Sequence, residues 1–104
     1  MVVYEVNLLI DENIYNQFES WLKEHAREML QFSGFINAHI LKPENEDTVS
    51  QKKLTVQYQL DNKDSLTNYF NQFAAKMRED GLKRFKDQFS AERRIYEVKE
   101  CILK

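Results

Sequence analysis

Hydrophobic patterns follow one another along the chain in the order strand, helix, strand, strand, helix, strand. That order predicts an α+β fold of the split βαββαβ, or ferredoxin-like, type, with a four-stranded antiparallel sheet carrying two helices on one face. Two further observations agree. The 104 residues are 42% hydrophobic with only 2 Gly and 1 Pro, which suits a single folded domain over residues 1–104 and excludes disordered or collagen-like composition. The one turn-rich stretch, Lys42 to Gln51 (KPENEDTVSQ), separates two apolar runs in mid-chain, as a loop between the second and third strands requires.

The first strand is read from Val2, Tyr4, Val6, Leu8 and Ile10, which alternate with Val3, Glu5, Asn7 and Leu9 and end at Asp11. Asp11 or Asn13 is placed to cap a helix whose apolar residues Ile14, Phe18, Trp21, Leu22, His25, Met29 and Phe32 recur at helical intervals. Trp21 lies at the centre of that arc and is expected to be largely buried. Gly34 marks the C-terminal turn, and Phe35 to Leu41 resumes a period of two, with Ile36, Ala38 and Ile40 on one side. Leu54, Val56, Tyr58 and Leu60 define a half-polar third strand. Asp61 to Asp64 supplies caps for a second helix with Leu66, Tyr69, Phe70, Phe73 and Met77 on one stripe. Beyond Gly81 the apolar set Leu82, Phe85 and Phe89 is rotated, which predicts a kink near Gly81 or packing of the last turns against something other than the sheet. Arg94 to Leu103 is read as the fourth strand.

With spatial order 4-1-3-2, even positions of the first three strands face the helices. Val3, Glu5, Asn7, Leu9, Phe35, Asn37, His39, Leu41, Thr55, Gln57 and Gln59, with Glu97 and Lys99, then face away. A bare face with apolar ends, together with exposed Leu30, Leu82, Phe85, Phe89 and Ile95, exposes more apolar surface than a monomer usually shows. A symmetric homodimer with Phe35 near its interface follows as the expectation.

The opening VVYEVNLLID, the Trp21 and His25 pair with Met29, Gly34 and Phe35 followed by Ala38, the VQY of Val56 to Tyr58, and the stretch from Arg78 through Gly81, Arg84, Phe85 and Phe89 to Arg93 resemble the small bacterial proteins grouped as domain of unknown function 4286. The resemblance covers nearly the whole chain. It implies a subunit related to the dimeric α+β barrels, which pair their open sheet faces around a cavity and include the antibiotic-biosynthesis monooxygenases. It implies no established activity and no catalytic residue.

The residues themselves nominate one constellation. Asn7, Asn37, His39, Gln57 and Gln59 share the open face, and would line a polar cavity if a second subunit covered it; His39 is the member whose ordinary pKa lies near neutrality. The simpler alternative is a solvated sheet face. His25 reads as a neutral imidazole in the apolar arc, or as a base at a cavity edge. The two His residues fall on opposite faces and lack metal-ligand spacing, so no metal is expected. Cys101 reads as a small packed thiol, with no disulfide partner in the chain.

Fifteen basic against 17 acidic side chains give a net charge of −2. No basic field points to nucleic acid, and the basic residues from Lys83 to Arg94 are interleaved with acids. Tyr58 has helix-side parity, which removes an RNA-stacking platform. No membrane span or signal sequence is read, so a cytoplasmic location is the default. The functional expectation is a homodimer binding a small organic molecule between paired sheets, with no cofactor. The alternatives are a cofactor-free monooxygenase-like or isomerase-like enzyme, and a non-enzymatic interaction module.

Overall fold

The computed structural model describes residues 1–104. Strands β1 (Val2–Asp11), β2 (Phe35–Leu41), β3 (Gln51–Leu60) and β4 (Phe89–Glu97) form one antiparallel sheet in the order β2-β3-β1-β4. Helix α1 (Tyr15–Met29) follows a single 3-10 turn, and α2 (Lys63–Gln72) and α3 (Ala74–Phe85) together make the second helical crossing. This is the ferredoxin-like α+β fold. The sheet contributes Val2, Tyr4, Leu8 and Ile10 from β1 and Leu54, Val56, Tyr58 and Leu60 from β3 to the core; α1 answers with Phe18, Leu22, Ala26 and Met29. The period of two on the strands and the three-to-four spacing on the helix therefore meet as expected. No helix is long and apolar enough to cross a membrane.

Four features depart from the sequence expectation, each for a physical reason. Phe35 pairs with Leu60 while Asn37 pairs with Gln59, so Ile36 bulges out of register. The bulge swaps two faces. Phe35 turns into the core against Tyr69 and Tyr58, at ring distances of 5.3 and 5.9 Å, and Ile36 is 50% exposed. Phe35 is therefore unavailable to an open-face interface.

The second helix breaks at Phe73 (φ −128°) rather than at Gly81, where Phe73 turns to stack on Phe32 at 4.5 Å. The reset buries Ala74, Gly81 and Phe85 and leaves Leu82 exposed, so Phe85 is a core residue rather than surplus surface.

Lys86 ends α3 at φ +54°, and β4 begins three residues later. Phe89 thus belongs to a strand, and residues 98–103, expected to be strand, have no regular structure. The resulting register sets Ile95 beside Tyr4 and Glu97 beside Val2, on the helix side, while Arg94 and Tyr96 pair with Glu5 and Val3 on the open face. Cys101 is exposed rather than packed.

Neither Asp11 nor Asn13 caps α1: Ile14 occupies the cap position without a side-chain bond, because the intervening 3-10 turn carries the chain past both. At α2, by contrast, the Asn62 side chain accepts from the Ser65 backbone N–H at 2.9 Å. Gly34 (φ +88°) sits against this cap, and a Cβ there would lie 2.3 Å from Ser65 Oγ and 2.6 Å from Asp61 Oδ1. Gly34→Ala should therefore destabilise the fold by about 1–3 kcal/mol, through both strain and collision. A urea midpoint equal to the wild type would contradict this.

Candidate functional site

On the open face, Glu5 is the hub. Its carboxylate accepts from Asn7 Nδ2 at 3.0 Å, Gln57 Nε2 at 2.9 Å and the Tyr96 hydroxyl at 3.2 Å. These donors, led by Asn7 and Gln57, hold its pKa below the ordinary carboxylate value. Thr55 Oγ1 donates to Asn7 Oδ1 at 2.8 Å, and Asn37 Nδ2 donates to Gln59 Oε1 at 2.9 Å. His39 lies opposite Gln57 in register and is exposed. The structure thus brings Asn7 and Gln57 together through Glu5, pairs Asn37 with Gln59, and leaves His39 at the rim. Of the five, Asn7 alone borders the solvent-open depression on this face, whose other polar walls include Glu5, Thr55, Glu92 and Arg94.

An aromatic-lined cleft of about 200 Å³ occupies the opposite face, between the sheet and the helices α1 and α3. Its floor is Tyr4, Val6, Val56 and Tyr58; α1 contributes Trp21 and His25, α3 contributes Arg78 and Gly81, and β4 contributes Ala91 and Arg93. Sealed and empty, that volume would cost on the order of 5 kcal/mol at roughly 24 cal/mol per Å³, a large share of a small domain's stability. Water or a ligand recovers part of the loss.

The cleft exists because of local choices in α1 and α3. Trp21 and His25, one turn apart, stack with ring centroids 4.6 Å apart. Trp21 Nε1 donates to Asp80 Oδ2 across the two helices at 2.9 Å. Gly81 lets the indole approach, since a Cβ there would lie 2.9 Å from Trp21 Cη2. Trp21 is accordingly part of a wall, partly exposed rather than enclosed in the core as its position in the arc suggested.

Polar atoms in the cleft are few and unusual. His25 Nδ1 and Arg78 Nε are buried without hydrogen-bond partners. Arg78 Nη2 donates to the Tyr4 hydroxyl at 3.3 Å, with the guanidinium 5.9 Å from the Phe70 ring. The lining contains Arg78 and Arg93 and no Asp or Glu, and neither arginine joins an ion pair. Burial lowers the His25 pKa against opposing pulls from Glu28 and Asp80, keeping the imidazole neutral near pH 7. Burial likewise pushes the Tyr58 and Tyr69 hydroxyls up. The cleft is therefore apolar, neutral-to-positive and short of hydrogen-bond acceptors. The apolar stripe and the Trp21–His25 spacing were visible in the sequence. The approach of Arg78 and Arg93 was not, because it depends on where α3 ends and on the register of β4.

Fold and cleft together define a ferredoxin-like α+β protein with an aromatic cleft between sheet and helices. Residues 1–99 match the family described as domain of unknown function (DUF4286), and the chain belongs to it. No curated protein matches the chain in sequence. Among solved structures, it is similar to a provisionally assigned antibiotic biosynthesis monooxygenase from Deinococcus radiodurans at 15% identity and TM-score 0.78, covering 100% of this chain and 98% of that one. It is also similar to SnoaB, a cofactor-independent oxygenase from Streptomyces nogalater, at 14% identity and TM-score 0.72, covering 99% and 98%. A dimeric ferredoxin-like protein from an uncultured marine organism gives 19% identity and TM-score 0.72, covering 100% of both chains. At these identities the likeness is one of fold.

The lowered His25 pKa has a signed consequence for stability. Between the depressed folded value and the ordinary value of 6.5, the unfolded chain binds more protons, so stability is full above pH 6.5 and falls as pH drops through the folded value. Glu5 adds a second loss below its ordinary 4.5. Unfolding free energies should decline between pH 7 and 5 in the wild type and decline less in His25→Gln. Equal slopes would contradict a desolvated neutral His25.

Proposed function

We propose that the protein binds a small, planar, largely apolar organic molecule in the cleft between helices and sheet, and does so as a homodimer joined through its open sheet faces. The cleft carries this reading: an aromatic pocket of about 200 Å³ holding two buried, unpartnered nitrogens. Cavities of roughly 150 Å³ accept benzene, so one ring or two fused rings match the space. The absence of acidic lining beside Arg78 and Arg93 favours a ligand carrying an oxygen acceptor or an anion. The Glu5 network and its apolar flanks, Val3, Leu9, Leu41 and Tyr96, are the surface offered to a second copy, and this replaces a ligand cavity between the sheets as the role of Asn7, Asn37, His39, Gln57 and Gln59.

A second reading is favoured by the unpartnered His25 Nδ1 and by the likeness to an oxygenase: chemistry on the bound molecule. In a cofactor-free monooxygenation of a phenol to a quinone, the substrate supplies all four electrons that reduce dioxygen: one oxygen atom becomes the second quinone oxygen, and the other leaves as water with the two hydrogens lost from the phenol O–H and the ring C–H.

Trp21 is the only tryptophan and lines the cleft, so its fluorescence reports occupancy. 1-Naphthol should quench it saturably in the wild type. Gly81→Ala, which pushes the indole toward the cleft, should weaken binding at least about tenfold. Unquenched wild-type emission would remove the binding reading. Sedimentation equilibrium at micromolar concentration should give twice the 12.5 kDa chain mass; a monomer would remove the dimer.

A further inference from the structure

The Trp21–His25 pair has two sides. Inward it lines the cleft; outward it lines a separate surface depression formed by Glu24, Glu28, Asp80 and Arg84 with Gln17 and Ser20. The stacked rings are thus a one-residue-thick partition between an apolar interior without carboxylates and an exterior with three. Of the polar atoms in this partition, Trp21 Nε1 is committed to Asp80, while His25 Nδ1 is buried and free. An imidazole can accept a proton on one nitrogen while releasing one from the other, and carboxylates outside favour the tautomer that carries its proton on the outer side.

We infer that His25 is the proton acceptor of the cleft: Nδ1 takes the proton of a bound phenol or enol, Arg78 and Arg93 hold the resulting oxyanion, and Glu28 and Asp80 outside support the imidazolium that forms. This rests on the ligand-binding role proposed above and adds the ligand class, a weakly acidic hydroxyl compound. The step balances: the O–H bond breaks, an N–H bond forms, the electron pair stays on oxygen, and no redox partner is needed.

The groups facing His25 from each packed element fit the task. Glu24 and Glu28 on α1 and Asp80 on α3 surround the outer depression, and Glu28 and Asp80 raise the basicity of the ring. Arg93 on β4 lowers it. Arg84 on α3 lies on the outer side and Arg78 on the inner. Tyr58 and Tyr69, with pKa values pushed up by burial, remain protonated and do not compete as bases. The neutral resting imidazole is the form able to accept.

The experiment uses 4-nitrophenol, whose phenolate absorbs separately from the phenol, and 4-nitrobenzoate, which is already ionised. Both are added to the full chain, with Trp21 quenching as the measure of occupancy. Below the pKa of free nitrophenol, the wild type should raise the phenolate-to-phenol ratio of the bound probe at least tenfold. His25→Gln should lose most of that rise, with Trp21 quenching giving the fraction of each probe bound at which the ratio is read. Glu28→Gln, an exposed change on the outer wall, should shift the acid limb of the ionisation profile to lower pH, because it removes a charge that supports the imidazolium; this keeps the inference testable should His25→Gln misfold. A wild-type spectrum in His25→Gln, or an unshifted profile in Glu28→Gln, would overturn the proton-acceptor role. Absence of quenching by either probe in the wild type would overturn the binding role itself.

Discussion

The constraint on which the cleft depends is the approach of α3 to the Trp21 ring at Gly81. With no Cβ at that position, the benzo edge of the indole comes up against the helix; a Cβ would lie 2.9 Å from Trp21 Cη2. That contact fixes the spacing of α1 and α3, and the Trp21–Asp80 bond locks it. From this follow the other features: His25 is held one turn along, stacked on the indole, and Phe85 closes over Phe18 at 5.0 Å. The space between α3 and β4 then stays open as the cleft. Packing density in a protein interior leaves little slack, so one missing methyl group at a helix crossing is enough to decide whether a pocket exists.

The two faces of the sheet have been given opposite polar chemistry. On the open face the Glu5 carboxylate is saturated by three donors, and the one buried orphan there is an acceptor, Asn37 Oδ1. The Glu5 hub itself has no bond left to offer. On the helix side, by contrast, Arg78 and His25 keep unpartnered nitrogens in a low-dielectric setting, where leaving them so is costly. Unsatisfied groups are where a ligand gains most, because it replaces a deficit rather than an existing bond.

Much of this was legible in the residues, and the failures have local causes. The alternation in β1 and β3 and the arc of α1 carried the element order, the strand order and the face of Asn7, Gln57 and Gln59. Phe35 was assigned to the wrong face because a bulge shifts parity by one residue and Ile36 gives no sign of it. The helix was run through to Phe89 because neither Phe73 nor Lys86 is a glycine or proline; tertiary stacking on Phe32 and a positive φ at a lysine override propensity there. Since β4 was set five residues late, Arg93 was read as surface charge, and the helix-side cleft could not be assembled from the sequence. His25 was flagged for its chemistry, but its free nitrogen is a property of the packing.

The bulge at Ile36 has a consequence of another kind. The strands β2 and β4 form the two borders of the sheet, and borders with unspent backbone donors and acceptors invite further chains to add on indefinitely. Here one border is kinked by an out-of-register residue in a strand of only seven, and the other carries Glu92, Arg93 and Arg94 in succession. Ribbon-like growth is discouraged at both ends of the sheet, leaving the broad face as the surface open to self-association, and association through a face closes on itself after two copies. The same irregularity that misleads a parity count is thus a guard against fibrils.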